Sequence, residues 1–254
     1  MPVSQFEMRS RFKRQYLTFN GKSSKDFLLY LSGPGIYNSP APDVEATSIP
    51  GLNGDLIQNN AKSGHRRFNN VDIKYEAFFF NGLPKKTGAV ESWLLSPTGY
   101  CKLQDTYDPD FFRMGMCTSA IEFEVTRQKS AEMELIFNCK PQRWSVEGQK
   151  VITLESSGCV IRNPFEFYAQ PLITVNGSSE GVLTIGDYSV AIYSFDDGEV
   201  ILNSETQNAY LLDGSFCNSN IYSEEFPVLA PGENTIEWSG GITSVEIAPR
   251  WWTL

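Results

Sequence analysis

The chain has a single histidine, His65, and that scarcity removes several chemistries at once. A Ser-His-Asp triad would have to be built on this one imidazole. It sits in "AKSGHRRF" beside Arg66 and Arg67, whose charges disfavour its protonated form, and it reads as a surface loop residue. The five cysteines, Cys101, Cys117, Cys139, Cys159 and Cys217, form no CxxC or CxH pair, so no zinc site is expected. They read as reduced, small, half-buried residues. No window reaches the roughly 18 consecutive apolar residues of a membrane helix. The opening "MPVSQFEMRSRFKRQY" has a basic cluster but no apolar run behind it, so it does not read as a secretory signal. A basic surplus is missing too: the net charge is −9, which argues against a surface that coats nucleic acid. Solubility is the simplest account of such a charge, and passage of DNA through a lumen that must not stick to it is compatible with it as well.

Helical periodicity is equally scarce. Turn signals and alternation fill the chain instead. Asn-Gly occurs at Asn20-Gly21, Asn53-Gly54, Asn81-Gly82 and Asn176-Gly177, a pair that suits type I′ hairpins because both residues accept positive φ. Asp197-Gly198 and Asp213-Gly214 add two further turns. In "VDIKYEAFFF", Val71, Ile73, Tyr75 and Ala77 share one face, against Asp72, Lys74 and Glu76 on the other. "AIEFEVTRQ" sets Ile121, Phe123 and Val125 against Glu122, Glu124 and Thr126, and "NTIEWSGGITSVEIAP" points Ile236, Trp238, Val245 and Ile247 inward. Period two dominates, so the chain reads as mainly β. One segment departs. In "KKTGAVESWLL", Ala89, Val90, Trp93 and Leu94 form one helical stripe, with Thr87 as N-cap and "SPTG" as the stop, predicting a short helix near 88–95.

At 254 residues, 41% of them hydrophobic, one or two cored domains are expected. A boundary is expected around "CKPQRWSVEGQK", where a strand-like run ends before Pro141 and alternation resumes at "VITLE". Beyond residue 150, eight or so short strands with regular turns suggest a small sandwich.

"IPGLNGDLI", residues 49–57, poses a choice between a phosphate-cradling loop and a hairpin tip. The first needs a helix after the loop, whose N-terminal N–H groups face the anion. The following "DLIQNNAKSGHRRFNNV" is polar and aperiodic, and a Walker lysine is missing. The stretch reads as a turn with Asn53-Gly54 at its tip.

Paired carboxylates occur at Asp108/Asp110, Asp196/Asp197 and Glu224/Glu225. Glycosidases need two carboxyls facing each other across a sugar, one of raised pKa. Adjacent strand residues point to opposite faces, so the last two pairs fit poorly. The aromatics (17 Phe, 11 Tyr and 5 Trp) could include a sugar-stacking platform in "RWW", 250–252, but they read better as core or seam.

Several stretches stand in a fixed order: "LTFNGKSSKDFLLYLSG" (17–33), "SIPGLNGDLI" (48–57), "FNNVDIKYEAFF" (68–79), "ESWLLSPTGYCKLQDTYDPDFFRMG" (91–115), "CKPQRW" (139–144) and the closing "FPVLAPGENTIEWSGGITSVEIAPRWWTL". Along essentially its whole length the chain resembles the distal tail proteins (Dit family) of long-tailed, non-contractile bacteriophages. The resemblance implies two β-sandwich domains. The first, 1–144, would carry one short helix and a protruding hairpin and form a ring of six copies. The second, 145–254, would be galectin-like, its last few residues packing back on the first.

The ring would cap the tail tube, continue its DNA channel and act as the hub of the adsorption apparatus. Implied partners are further copies of the chain, the tail tube protein, the tape-measure and tail-tip proteins, and receptor-binding or baseplate proteins. Viral DNA would pass through the lumen without specific binding. The implied location is the virion tail tip, assembled in the host cytoplasm, with no cofactor, metal or membrane involved. Onto this sequence the family's Pro-Gly-x-x-Gly turn carries over as Pro50, Gly51 and Gly54, its helix as Trp93 and Leu94, its acidic turn as Asp108-Pro109-Asp110, and its closing Pro-Arg as Pro249 and Arg250. Two departures matter. The charged pair often found inside Gly-x-x-Gly is Leu52-Asn53 here, and no histidine follows residue 65 to build a galectin-type sugar site. The rival readings are a carbohydrate-binding module for cell-wall polysaccharide and, from a third class, a glycoside hydrolase.

Overall fold

A computed structural model describes residues 14–33, 38–59, 66–79, 87–127 and 130–254. The chain is mainly β and divides into two compact units that change over between Gln142 and Arg143. His65 and the Asn81-Gly82 turn lie outside the described residues.

The first unit contains β1 (Leu17–Phe19), β2 (Lys22–Ser23), β3 (Leu29–Ser32), β4 (Val44–Ser48), β5 (Asp55–Asn59), β6 (Val71–Phe79), the helix α1 (Thr87–Leu95), β7 (Cys101–Asp105), β8 (Phe111–Cys117), β9 (Glu124–Arg127) and β10 (Ser130–Cys139). Strands run antiparallel in the order β2-β1-β7-β8-β10-β6-β3, with β9 alongside β10. Gln15, just ahead of β1, bridges to Leu31 of β3, so the β1 side of this path reaches back to its other end and the sheet rolls up on itself. The Asn20-Gly21 turn joins β1 to β2 with both residues at positive φ, as the dipeptide predicts. In β6 the alternation is obeyed residue by residue, with Val71, Ile73, Tyr75 and Ala77 buried and Asp72, Lys74 and Glu76 exposed. "AIEFEVTRQ" is less regular. Ile121 is buried before the strand begins, while Val125 within β9 is exposed.

The rolled sheet is filled mainly by Leu17, Phe19, Leu29, Phe79, Leu135 and Phe137, and α1 adds Val90, Trp93 and Leu94. Ala89, expected in that stripe, is exposed, and Thr87 is the first residue of the helix.

The second unit contains β11 (Arg143–Ser145), β12 (Ile152–Leu154), β13 (Cys159–Asn163), β14 (Leu172–Ile185), β15 (Tyr188–Ile192), β16 (Glu199–Asn203), β17 (Asn208–Tyr210), β18 (Ile221–Tyr222), β19 (Gly232–Ala248) and β20 (Trp252–Thr253). Two of its strands are long, 14 and 17 residues, where short ones were expected. They pair along their length and serve both halves of the unit. Toward one end they carry β12 and β16, and toward the other β13 and β15.

The crease between the halves falls where the β14–β19 register shifts, around Gly177 and Gly181. A Cβ on Gly177 would lie 2.7 Å from the Phe195 ring, and one on Gly181 would lie 2.7 Å from the Ser239 carbonyl oxygen. Gly240 stands opposite at φ 74°. Only glycine lets two backbones approach this closely and bend together. Asn176-Gly177 is therefore a bulge inside a strand, not the hairpin turn its sequence suggests. The dipeptide reports tolerance of unusual backbone, which a crease uses as well as a turn does.

Candidate functional site

The residues singled out in the sequence do not converge on one catalytic centre. Pro50, Gly51 and Gly54 lie in the loop joining β4 to β5, which form a two-stranded sheet of their own. Pro50 and Gly51 occupy the middle of a turn closed by the Leu52 N–H donating to the Ile49 carbonyl at 3.1 Å, with Gly51 at φ 86°. Proline followed by a positive-φ glycine is the composition of a type II turn. The stretch is thus a hairpin tip, but its turn is made by Pro50-Gly51. Asn53 is not among the positive-φ residues, and Gly54, at φ 87°, leads into β5.

Every residue of β4 is exposed, and Leu52 and Ile57 keep 66% and 61% of their surface open. An isolated two-stranded ribbon is marginal in water. This one displays apolar side chains, and among the described residues no third strand pairs with it; both are features of a surface that pairs with something else.

Trp93 and Leu94 are buried and hold α1 to the rolled sheet. The Trp93 Nε1–H donates to the Phe19 carbonyl at 3.0 Å, and its ring stacks on Phe27 at 4.8 Å and meets Phe19 edge-on at 6.3 Å. Their role is packing within the first unit.

Asp108, Pro109 and Asp110 make the β7–β8 turn, where the Phe111 N–H donates to the Asp108 carbonyl at 3.3 Å. The residue that organises this turn was not singled out. Asp105 accepts from the N–H groups of Tyr107 and Asp108 at 2.9 and 3.0 Å, and from the Tyr75 hydroxyl at 2.6 Å. Burial first, and Asp105 second, push the Tyr75 hydroxyl well above the usual phenol range. An aspartate three residues before Asp-Pro was the signal available, since Asp readily accepts from nearby backbone N–H groups.

Pro249 and Arg250 belong to the second unit. Pro249 is buried; Arg250 takes φ 57° and donates its N–H to the Gly148 carbonyl at 2.7 Å. Its guanidinium reaches Asn203 Oδ1 at 2.9 Å and Glu205 at 3.5 Å. The next residue, Trp251, is buried so close to Gly148 that a Cβ there would lie 2.7 Å from its backbone nitrogen. Trp252 stacks on Phe167 at 4.5 Å and donates to the Tyr168 carbonyl at 2.8 Å. "RWW" closes a core and offers no open sugar platform.

The acidic groups are arranged for structure as well. Asp196 accepts from Ser194 at 2.9 Å and Asn220 at 2.7 Å, and these bonds lower its pKa. Asp213 is lowered by its bonds from Ser215. A glycosidase acid needs the opposite shift. All five cysteines are free thiols, and among the described residues no group of three or more acidic, histidine or cysteine side chains could hold a metal.

Sequence reasoning also passed over one acidic feature. On the outer face of the rolled sheet, Glu76, Glu122, Glu124, Glu132 and Glu134 line a recess of about 400 Å³. Glu76 stands directly across from Glu134, and Glu132 across from Glu124. Like charges in that position repel, and Lys74, 3.6 Å from Glu134, offsets part of this. The outward positions of "VDIKYEA", "EFEV" and "AEMELI" were the signal, visible once the strands are set side by side.

No known family model matches the chain, and no curated protein matches it. Among solved structures it is similar to the Dit (gp 19.1) protein of SPP1, described as a paradigm of the hub adsorption apparatus in phages infecting Gram-positive bacteria. The TM-score is 0.72, and the likeness covers 95% of this chain and all of that one, at 13% sequence identity. At this identity the shared property is the fold, and it extends through both units.

Proposed function

We propose that a protein with this fold is a structural, non-catalytic hub at the tip of a phage tail. Six copies close head to tail into a ring that caps the tail tube, continues its channel and anchors the adsorption apparatus. The observation that carries this reading is the whole-length likeness to a hub protein. Repetition of one heterologous contact closes a ring when the rotation fits, and about 800 Å² per partner suffices for specificity.

The first unit supplies the contacts, and the two-stranded β4–β5 ribbon is the element that most needs a neighbour. Six copies at −9 each, with glutamates gathered on one sheet face, suit a channel wall that DNA slides past. The partners in this reading are further copies of the chain, the tail tube, tape-measure and tail-tip proteins, and receptor-binding or baseplate proteins on the second, galectin-like unit. No cofactor takes part.

Negative-stain microscopy of the protein mixed with its tail neighbours should show six-fold rings with a central hole. A tail particle in which the chain is a trimer, or lies off the axis, overturns the reading.

A further inference from the structure

We infer that Asn53 is a site of spontaneous modification: on the free chain its side-chain amide is lost to attack by the Gly54 backbone nitrogen. The Gly54 nitrogen gives up its proton and bonds to Asn53 Cγ. The Cγ–Nδ2 bond breaks, and the nitrogen leaves as ammonia, carrying away that proton. The cyclic imide then takes up one water and opens at either carbonyl. One opening gives an aspartyl residue; the other runs the main chain through Cγ as isoaspartyl. Either way the ribbon tip gains a negative charge, which acts locally as other charge-changing modifications do.

Three Asn-Gly pairs lie among the described residues, and the structure gives each a different access to this reaction. At Asn53-Gly54 both residues are exposed, and nothing lies within 4 Å of where a Gly54 Cβ would be. Among the described residues neither the Asn53 amide nor the Gly54 N–H has a hydrogen-bond partner. Among the described residues nothing holds the amide and the nitrogen apart.

Asn20-Gly21 is exposed as well, but Asn20 sits at φ 48°. In the left-handed region the following nitrogen lies across the Cα–C bond from Cβ, so the turn must flip before the ring can close. Flipping works against the bond from the Asn20 N–H to the Lys102 carbonyl at 3.1 Å. Asn176-Gly177 is locked. Asn176 is paired to Glu199 on one side and Ser244 on the other, and its Nδ2 donates to Ser244 Oγ at 3.2 Å. The Phe195 ring lies over Gly177. Closure there requires the crease of the second unit to open.

Incubation of the full chain in warm, mildly alkaline buffer, followed by peptide mapping with mass spectrometry, tests this directly. Conversion at Asn53 should run at least about ten-fold faster than at Asn176, the separation expected between a loop and a paired strand, with Asn20 between them. In denaturant the three rates should converge, because the dipeptide is the same. Asn53→Gln should remove the acidic shift mapped to residues 53–54 and leave the rates at Asn20 and Asn176 unchanged. Equal rates at the three sites in the native protein, or a slower rate at Asn53 than at Asn176, overturn the inference. The test needs no assembly partner and is independent of the ring.

Discussion

The two units solve one problem in different ways. A sheet with one apolar face must enclose that face. The first unit rolls its strands until Gln15 meets Leu31, and inserts α1 with Trp93 into the core. The second creases two long strands at Gly177 and Gly181 and fills its core from strands and loops. One depends on a large side chain, the other on the absence of side chains. The stabilising residues of the first unit therefore announce themselves in sequence by size and period, while those of the second are the smallest residues available.

Substitutions at the two devices should separate the units. Trp93→Ala removes an indole, two ring contacts and a hydrogen bond, and should cost the first unit about 3–5 kcal/mol, as large aromatic truncations do. Thermal unfolding followed with limited proteolysis should show the first unit failing while the second keeps its protection; equal loss in both would mean that the devices are not independent. Gly181→Ala drives a methyl against the Ser239 carbonyl and Ile242, and overpacking of this kind should cost about 1–3 kcal/mol in the second unit. An unchanged melting temperature would show that the crease relaxes freely.

A smaller effect is expected from Tyr75→Phe. It deletes the bond to Asp105 and should cost about 0.5–1.5 kcal/mol at neutral pH. It should also alter behaviour in base. Burial pushes the Cys139 thiol from 9.0 up to about 12, and Tyr75 lies well above its ordinary 10.0. Groups whose folded pKa is raised contribute stability that is intact below their unfolded values and lost as pH climbs toward the folded ones. The first unit should therefore lose stability progressively above pH 9.0, and the Tyr75→Phe variant should lose less of it. A flat profile between neutral pH and 12 would remove both groups from the account.

Much of the first unit was legible. The alternation of β6, the Asn20-Gly21 turn and the helix ending at Leu95 follow from local pattern, because each depends on neighbours close in sequence. What escaped depended on partners far along the chain. Asn176-Gly177 looks like a turn until Phe195 and Gly241 are placed over it. Val125 looks inward-facing by parity, yet it is exposed. Trp252 reads as core or seam, but its stacking partner Phe167, 85 positions away, is not visible in the sequence. The acidic face is invisible in any single strand, since it is assembled across three strands and one of its opposed pairs, Glu76 and Glu134, joins residues 58 positions apart. The hairpin of residues 44–59 was located correctly, but the choice between Pro50-Gly51 and Asn53-Gly54 as its turn rested on which dipeptide closes the hydrogen bond.

The pairing of β11 with β20 has a practical consequence. Arg143 stands opposite Thr253 and Trp144 opposite Trp252, so the second unit begins and ends on neighbouring strands. A unit whose first and last strands pair is tied off at both ends, so neither end frays without breaking the other's hydrogen bonds. The strand that enters the unit at Arg143 and the one that leaves it at Thr253 should therefore gain or lose amide-exchange protection together.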